Sequence, residues 1–200
     1  MKGFTLWFTG MSGAGKTTLS RMVEGALLER GLKVEVLDGD VIRNNFSQGL
    51  GFSKEDRDIN IRRIGFVCHL LTRNEVVAVA AAISPYRAVR AENRNLIKSY
   101  VEVYCKCPLE VLKERDPKGL YKKAERGEIK QFTGIDDPYE EPMDAEIVLE
   151  TDTETPEQST NKILRTLELM GCIPSSGLDD EYTDEEEEEI KERLRSLGYI

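Results

Sequence analysis

The sequence predicts an α/β fold, a mainly parallel sheet covered by helices on both faces, and three observations carry that prediction. Apolar runs of strand length alternate with stretches of helical spacing along most of the 200 residues. A glycine-rich loop, Gly10-Met11-Ser12-Gly13-Ala14-Gly15-Lys16-Thr17, separates the first apolar run from the first helical stretch. Charged and polar residues suited to small anionic ligands follow the later apolar runs, where the carboxyl edge of such a sheet falls.

Phe4 to Thr9 is the first strand and stops at Gly10. Thr17 to Arg30 has helical spacing in Leu19, Met22, Val23, Ala26 and Leu27 and ends at Gly31, a natural C′ residue. Lys33 to Leu37 is the second strand, and a helix opens near Asp40. Ser53 begins another helix, with Glu55 and Asp56 in its first turn, where the helix dipole favours acids. Val76 to Ile83 and Val101 to Cys107 are the third and fourth strands, Ile147 to Leu149 is a candidate fifth, and Thr155 to Met170 is a final core helix. Between Asp116 and Pro142 the chain is charged, carries Gly119, Gly127 and Gly134 and lacks apolar periodicity, which marks a mobile lid. The expected organisation is one domain over residues 1–174, with the lid at about 116–142, and an acidic extension over 175–200.

The formal net charge of −9 is concentrated at one end. Asp179 to Ile200 holds ten acidic and three basic residues, which is −7 of the total. Without a basic footprint, nucleic-acid binding is excluded. In the extension, Thr183 caps a helix led by glutamates, and Ile190, Leu194 and Leu197 form a narrow apolar stripe. The expectation is a helix docked on its own domain; the alternative is a partner contact across a dimer. Cys68, Cys105, Cys107 and Cys172 lack metal-type spacing and read as reduced structural thiols, and His69, among Val67, Leu70 and Leu71, reads as a packing residue. No run suits a bilayer span, no membrane contact is expected, and Met1-Lys2-Gly3-Phe4 enters the first strand without a signal-peptide cleavage site. The expected location is the cytoplasm.

The glycine loop fits G-x-x-x-x-G-K-[ST] between a strand and a helix, the context a P-loop requires. This narrows the fold to a P-loop NTPase-type three-layer sandwich. Gly10, Ser12, Gly13, Ala14 and Gly15 turn backbone amides inward around phosphate oxygens at a helix N-terminus. Lys16 is expected to bridge the β- and γ-phosphates of ATP, and the Thr17 hydroxyl to ligate Mg²⁺. A guanine-reading N-K-x-D sequence and a motor's apolar run ending in Asp-Glu are both missing, so a short chain with a lid favours a kinase of small acceptors.

Asp38-Gly39-Asp40-Val41-Ile42-Arg43 closes the second strand and opens a helix at the same edge. Asp40 is the candidate carboxylate for the acceptor hydroxyl, Arg43 is placed for an anionic group, and Asp38 is placed to orient Lys16 or a metal-bound water. The alternative for Asp40 is a helix cap. Arg57 and Asn60 lie three apart on one helix face, and Phe52 before them is placed to stack on a base. Ile83-Ser84-Pro85-Tyr86-Arg87 ends the third strand at this edge, and the lid brings Arg115, Lys118, Lys122, Lys123 and Phe132.

D-G-D-x-x-R, G-F-S-x-E-D-R, I-S-P-Y and K-G-L-Y-K-K-A…G-E-I-K-x-F-T-G-I-D, in this order from about Phe4 to Gly171, resemble the adenylylsulfate kinases. The resemblance implies transfer of the γ-phosphate of ATP to the 3′-hydroxyl of adenosine 5′-phosphosulfate (APS), with Mg²⁺, by an enzyme that commonly forms dimers. It implies that Gly13 to Thr18, including Thr18, bind ATP phosphates, with Arg115 also on the nucleotide. It implies that Asp40, Arg43, Phe52, Arg57, Asn60, Ile83, Ser84, Lys118, Gln131 and Phe132 line the APS pocket, with the base between Phe52 and Phe132. Lys16, Asp40 and Ser84 are the catalytic candidates. Some members carry a phosphoserine at the position of Ser84; with no base beside it, direct in-line transfer is the reading here. Gln131 stands where the family usually has glycine. Two alternatives remain: a P-loop kinase of another hydroxyl acceptor, such as a sugar acid, and a catalytically silent nucleotide-binding module serving a sulfurylase.

Overall fold

A computed structural model describes residues 2–175 and 184–200, apart from the side chains of Asp40, Asn44 and residues 184–186. Five strands, β1 (Thr5–Thr9), β2 (Val34–Asp38), β3 (Val77–Ala81), β4 (Tyr100–Lys106) and β5 (Ile147–Glu150), form one sheet in the order β2-β3-β1-β4-β5. Every pairing is parallel, with Thr5 opposite Ala78 on one side and Tyr100 on the other. Among the described residues the helices are α1 (Lys16–Glu29), α2 (Gly39–Asn45), α3 (Lys54–Arg73), α4 (Arg87–Ile97), α5 (Leu109–Arg115), α6 (Leu120–Glu125), α7 (Pro156–Leu169) and α8 (Asp184–Ser196).

The period of two along each strand divides the core into two layers. Leu6, Phe8, Val77, Val79, Val103 and Leu149 join Leu19, Val23, Leu27, Ile163 and Leu167 of α1 and α7 on one face. Trp7, Ala78 and Ala80 join Ile61, Ile64, Cys68, Val89 and Ile97 of α3 and α4 on the other. Burial on both faces explains why β1 and β3 read as apolar runs. At β3 the runs are small, Val-Ala-Val-Ala-Ala, which lets α3 approach closely. α3 also meets α4 tightly at Gly65, where an added Cβ would lie 2.1 Å from Asn93 Oδ1. Asn93 uses that space to donate to Ile61 O at 3.0 Å.

Three helices go beyond what the sequence suggested. α4 and α5 follow β3 and β4, and α6 lies inside the segment read as an aperiodic lid. Asp116 starts α6 by accepting from the backbone N–H groups of Tyr121 and Lys122, both at 3.1 Å. The cap proposed at Thr183 lies outside the described residues. Beyond it, Ile190 and Leu194 of α8 are buried, and Arg165 of α7 pairs with Glu187. No helix among the described residues is long and apolar enough to cross a membrane. The four cysteines are free thiols, three of them buried.

Candidate active site

Because all five strands run the same way, their carboxyl ends share one rim, and the loops after β1, β2 and β3 converge there. β1 delivers the glycine loop. Gly10 has φ +147°, and a Cβ there would meet the Cys105 carbonyl oxygen at 2.5 Å, so only glycine lets the chain leave the sheet at this point. Gly15, at φ +87°, then starts α1. Lys16, nine-tenths buried, folds back so that its ammonium donates to Gly10 O and Met11 O, each at 2.8 Å. Thr17 Oγ1 donates to Asp38 Oδ2 of β2 at 2.9 Å.

A cavity of about 480 Å³ opens from this loop. Ser12, Gly13, Gly15, Lys16, Thr17 and Thr18 line one end; Arg43, Phe52, Arg57, Asn60, Ile83 and Ser84 line the other. Lys118, Gln131 and Phe132 of the segment 116–142 line it too. Of the residues singled out in the sequence, Gly10 and Ala14 support the loop without facing the cavity; Ala14 packs into the core below it. Arg115 does not line the cavity: its Nη2 donates to Thr151 O at 2.9 Å and its Nη1 lies 3.7 Å from Cys107 Sγ. Its guanidinium thus ties α5 to the turn after β5. The side chain of Asp40, at the start of α2, lies outside the described residues.

The acceptor end is built from long-range contacts. Arg43 lies over the Phe52 ring, 4.0 Å from its centroid, and donates to Gly51 O. Arg57 is buried and donates to Phe52 O at 2.8 Å, to Thr133 Oγ1 and to Gln131 O, so one guanidinium fastens the segment 116–142 to α3. Asn60 accepts from Ser47 Oγ. Phe132 packs edge-on against Tyr121, centroids 5.0 Å apart, and the Tyr121 hydroxyl donates to Ser12 O at 2.9 Å, joining the segment 116–142 to the glycine loop. Gln131 adopts φ +57°, a left-handed conformation that suits the glycine usual there in the resembling family. Asp136 holds this turn by accepting from the Gln131 and Phe132 N–H groups, and those bonds keep its carboxyl below the usual range.

Sequence reasoning missed the setting of Ser84. Its φ is +41°, and its hydroxyl is almost fully buried. It accepts from Trp7 Nε1 at 3.0 Å and donates to Thr9 Oγ1 at 3.1 Å, while Thr9 donates to Ile83 O and shares a 2.9 Å contact with the Tyr139 hydroxyl. Arg90 Nη1 donates to Ser84 O at 2.6 Å. These partners lie 6 to 130 positions apart, so no local pattern announced them. Tyr86, beside them, donates to Asp137 Oδ2 at 2.8 Å, and burial with that carboxylate pushes its hydroxyl up to about 12.

One cavity thus joins the glycine loop to an aromatic and cationic wall. The family model for adenylylsulphate kinase matches residues 2–150. The chain belongs to the adenylylsulfate kinase family. An adenylyl-sulfate kinase of Rippkaea orientalis is 59% identical over 172 residues, covering 86% of this chain and 95% of the relative. A probable bifunctional SAT/APS kinase 2 of Sorangium cellulosum is also 59% identical, over 88% of this chain but only 30% of its own length. Among solved structures, the APS kinase CysC of Mycobacterium tuberculosis in complex with AMPPNP and APS shares 43% identity at a TM-score of 0.77, covering 81% of this chain and 96% of that one. The fold and the family expected from the motifs thus stand.

Proposed function

We propose that this chain transfers the γ-phosphate of ATP to the 3′-hydroxyl of APS, giving 3′-phosphoadenosine 5′-phosphosulfate and ADP, with the two nucleotides end to end in the one cavity. The continuity of that cavity, from Lys16 and Thr17 at one end to Arg57, Asn60 and Ser84 at the other, is the observation that carries this reading. Backbone amides of Gly13 to Thr18 cradle the ATP phosphates, and Lys16 exchanges its two carbonyl partners for phosphate oxygens. Thr17 and Asp38 offer a hydroxyl and a carboxylate 2.9 Å apart, a hard oxygen set that fits Mg²⁺. That ion would neutralise charge on the β- and γ-phosphates. Asp40 takes the proton of the attacking 3′-hydroxyl. The APS base lies between Phe52 and Phe132, and Arg43 and Arg57 face its phosphosulfate.

Ser84 serves here as a positioning contact. Its single hydroxyl proton is engaged by Thr9 and its lone pair by Trp7, an arrangement that supports direct in-line transfer over a phosphoserine intermediate. We further infer a cytoplasmic homodimer, from the family resemblance and the free thiols; sedimentation of the purified chain tests the dimer.

The deciding experiment offers labelled ATP with APS, gluconate or shikimate. Strong stimulation of turnover by APS alone is expected. Equal stimulation by all three would point to another acceptor, and none by any would point to a silent binding module.

A further inference from the structure

The family match ends at residue 150, yet the chain continues into α8, and α8 reaches a buried polar network that runs to the cavity. Ile190 and Leu194, 5% and 0% exposed, seat the helix. Arg193 Nε donates to Ala145 O at 3.0 Å, and the Tyr199 hydroxyl donates to Glu146 Oε1. Glu146 also accepts from Arg94 Nη2 at 2.9 Å and from the Glu102 N–H at 2.6 Å. Arg94 approaches Glu102 at 3.5 Å, and Arg90 Nε pairs with Glu102 at 2.9 Å. The remaining donors of Arg90 hold Ser84 O at 2.6 Å and Glu140 O at 2.7 Å.

Two arginines and two glutamates therefore balance in charge between the tail and the cavity wall. Arg90, Glu102 and Glu146 are almost fully buried. Such a set keeps one geometry only while every member is satisfied and water stays out. At its far end stands Ser84, in a left-handed conformation that its surroundings must enforce. Nothing in the network touches the phosphate loop among the contacts described.

We propose that α8 is a working part of the acceptor site: by covering Glu146 it holds the Arg94–Glu102–Arg90 network, which fixes Ser84 on the cavity wall, so that Tyr199, Glu146 and Arg90 are positioning residues for the transfer. This inference rests on the cavity being the APS site.

The test uses the full chain and two variants outside both the cavity and the family match. Leu194→Asp places a charge where α8 meets the core and detaches it; Tyr199→Phe removes only the hydroxyl on Glu146. Steady-state rates with ATP and APS are read beside thermal midpoints. For Leu194→Asp, kcat/KM for APS should fall about fivefold or more while KM for ATP stays within about twofold. For Tyr199→Phe, a loss of about two- to threefold in the same parameter is expected. Lowered midpoints with unchanged kcat/KM for APS would make α8 a stabiliser only and overturn the proposal. Equal losses toward ATP and APS would overturn it too. Should Leu194→Asp not fold, Tyr199→Phe decides alone. Failure of the parent chain to phosphorylate APS would instead strike the functional reading, an outcome visible before any variant is compared.

Discussion

At residue scale, the proposed chemistry turns on Asp40, whose carboxylate is asked to accept the proton of the incoming hydroxyl. Asp40→Asn should keep ATP binding, measured by calorimetry, and lose about 10²- to 10⁴-fold in transfer. Near-normal transfer would remove Asp40 from that role. Gln131 makes a different prediction. Held at φ +57°, it carries about 1 kcal/mol of left-handed strain that glycine would not. Glycine gives back about half of this through its freer unfolded chain. Gln131→Gly should therefore raise the thermal midpoint by about 1–2 °C, and a fall would show that the side chain contributes more than the backbone costs.

At the scale of elements, the turn at residues 131–136 is organised by Asp136, whose carboxylate gathers the Gln131 and Phe132 N–H groups. These bonds favour the charged form and lower its folded pKa. Their contribution is full above the unfolded value and is lost as pH falls through the lowered folded value, below the ordinary 3.8. In an NMR titration, the Gln131 and Phe132 amide shifts should move with a midpoint under 3.8; a midpoint at or above it would deny the clamp. The elements also show what the sequence could reveal. β1 and β3 were legible because burial on both faces makes their centres continuous apolar runs, and β4 because only Glu102 and Lys106 interrupt its apolar residues. The phosphate loop was legible because its residues are contiguous. α4 was not, since its core face is Val89, Arg90, Asn93 and Ile97, and the two polar members are buried only because Glu102, Ser84 and Ile61 receive them. α6 offered only Tyr121 and Ala124 to the core, too few for a period. The setting of Arg115 was hidden for a related reason: its place in the sequence did not reveal the carbonyl of Thr151, 36 residues on, that accepts from it.

At the scale of the whole molecule, the central strand carries both core layers at once. Phe8 is fully buried between α1, α7 and the sheet, and Phe8→Ala should cost about 3–5 kcal/mol in urea unfolding. A loss under about 1 kcal/mol would mean that the layer repacks. The same register has a consequence for how the chain is made. β1 leaves the ribosome before the other four strands of the sheet, yet its neighbours are β3 and β4, and Thr5 finds its partners only at Ala78 and Tyr100. Leu6, Trp7 and Phe8 therefore stay unsheltered until about half the polypeptide has emerged. The segment that ends up most deeply enclosed is the one that waits longest in the open, so nascent chains stalled before residue 100 should be the population that chaperones hold.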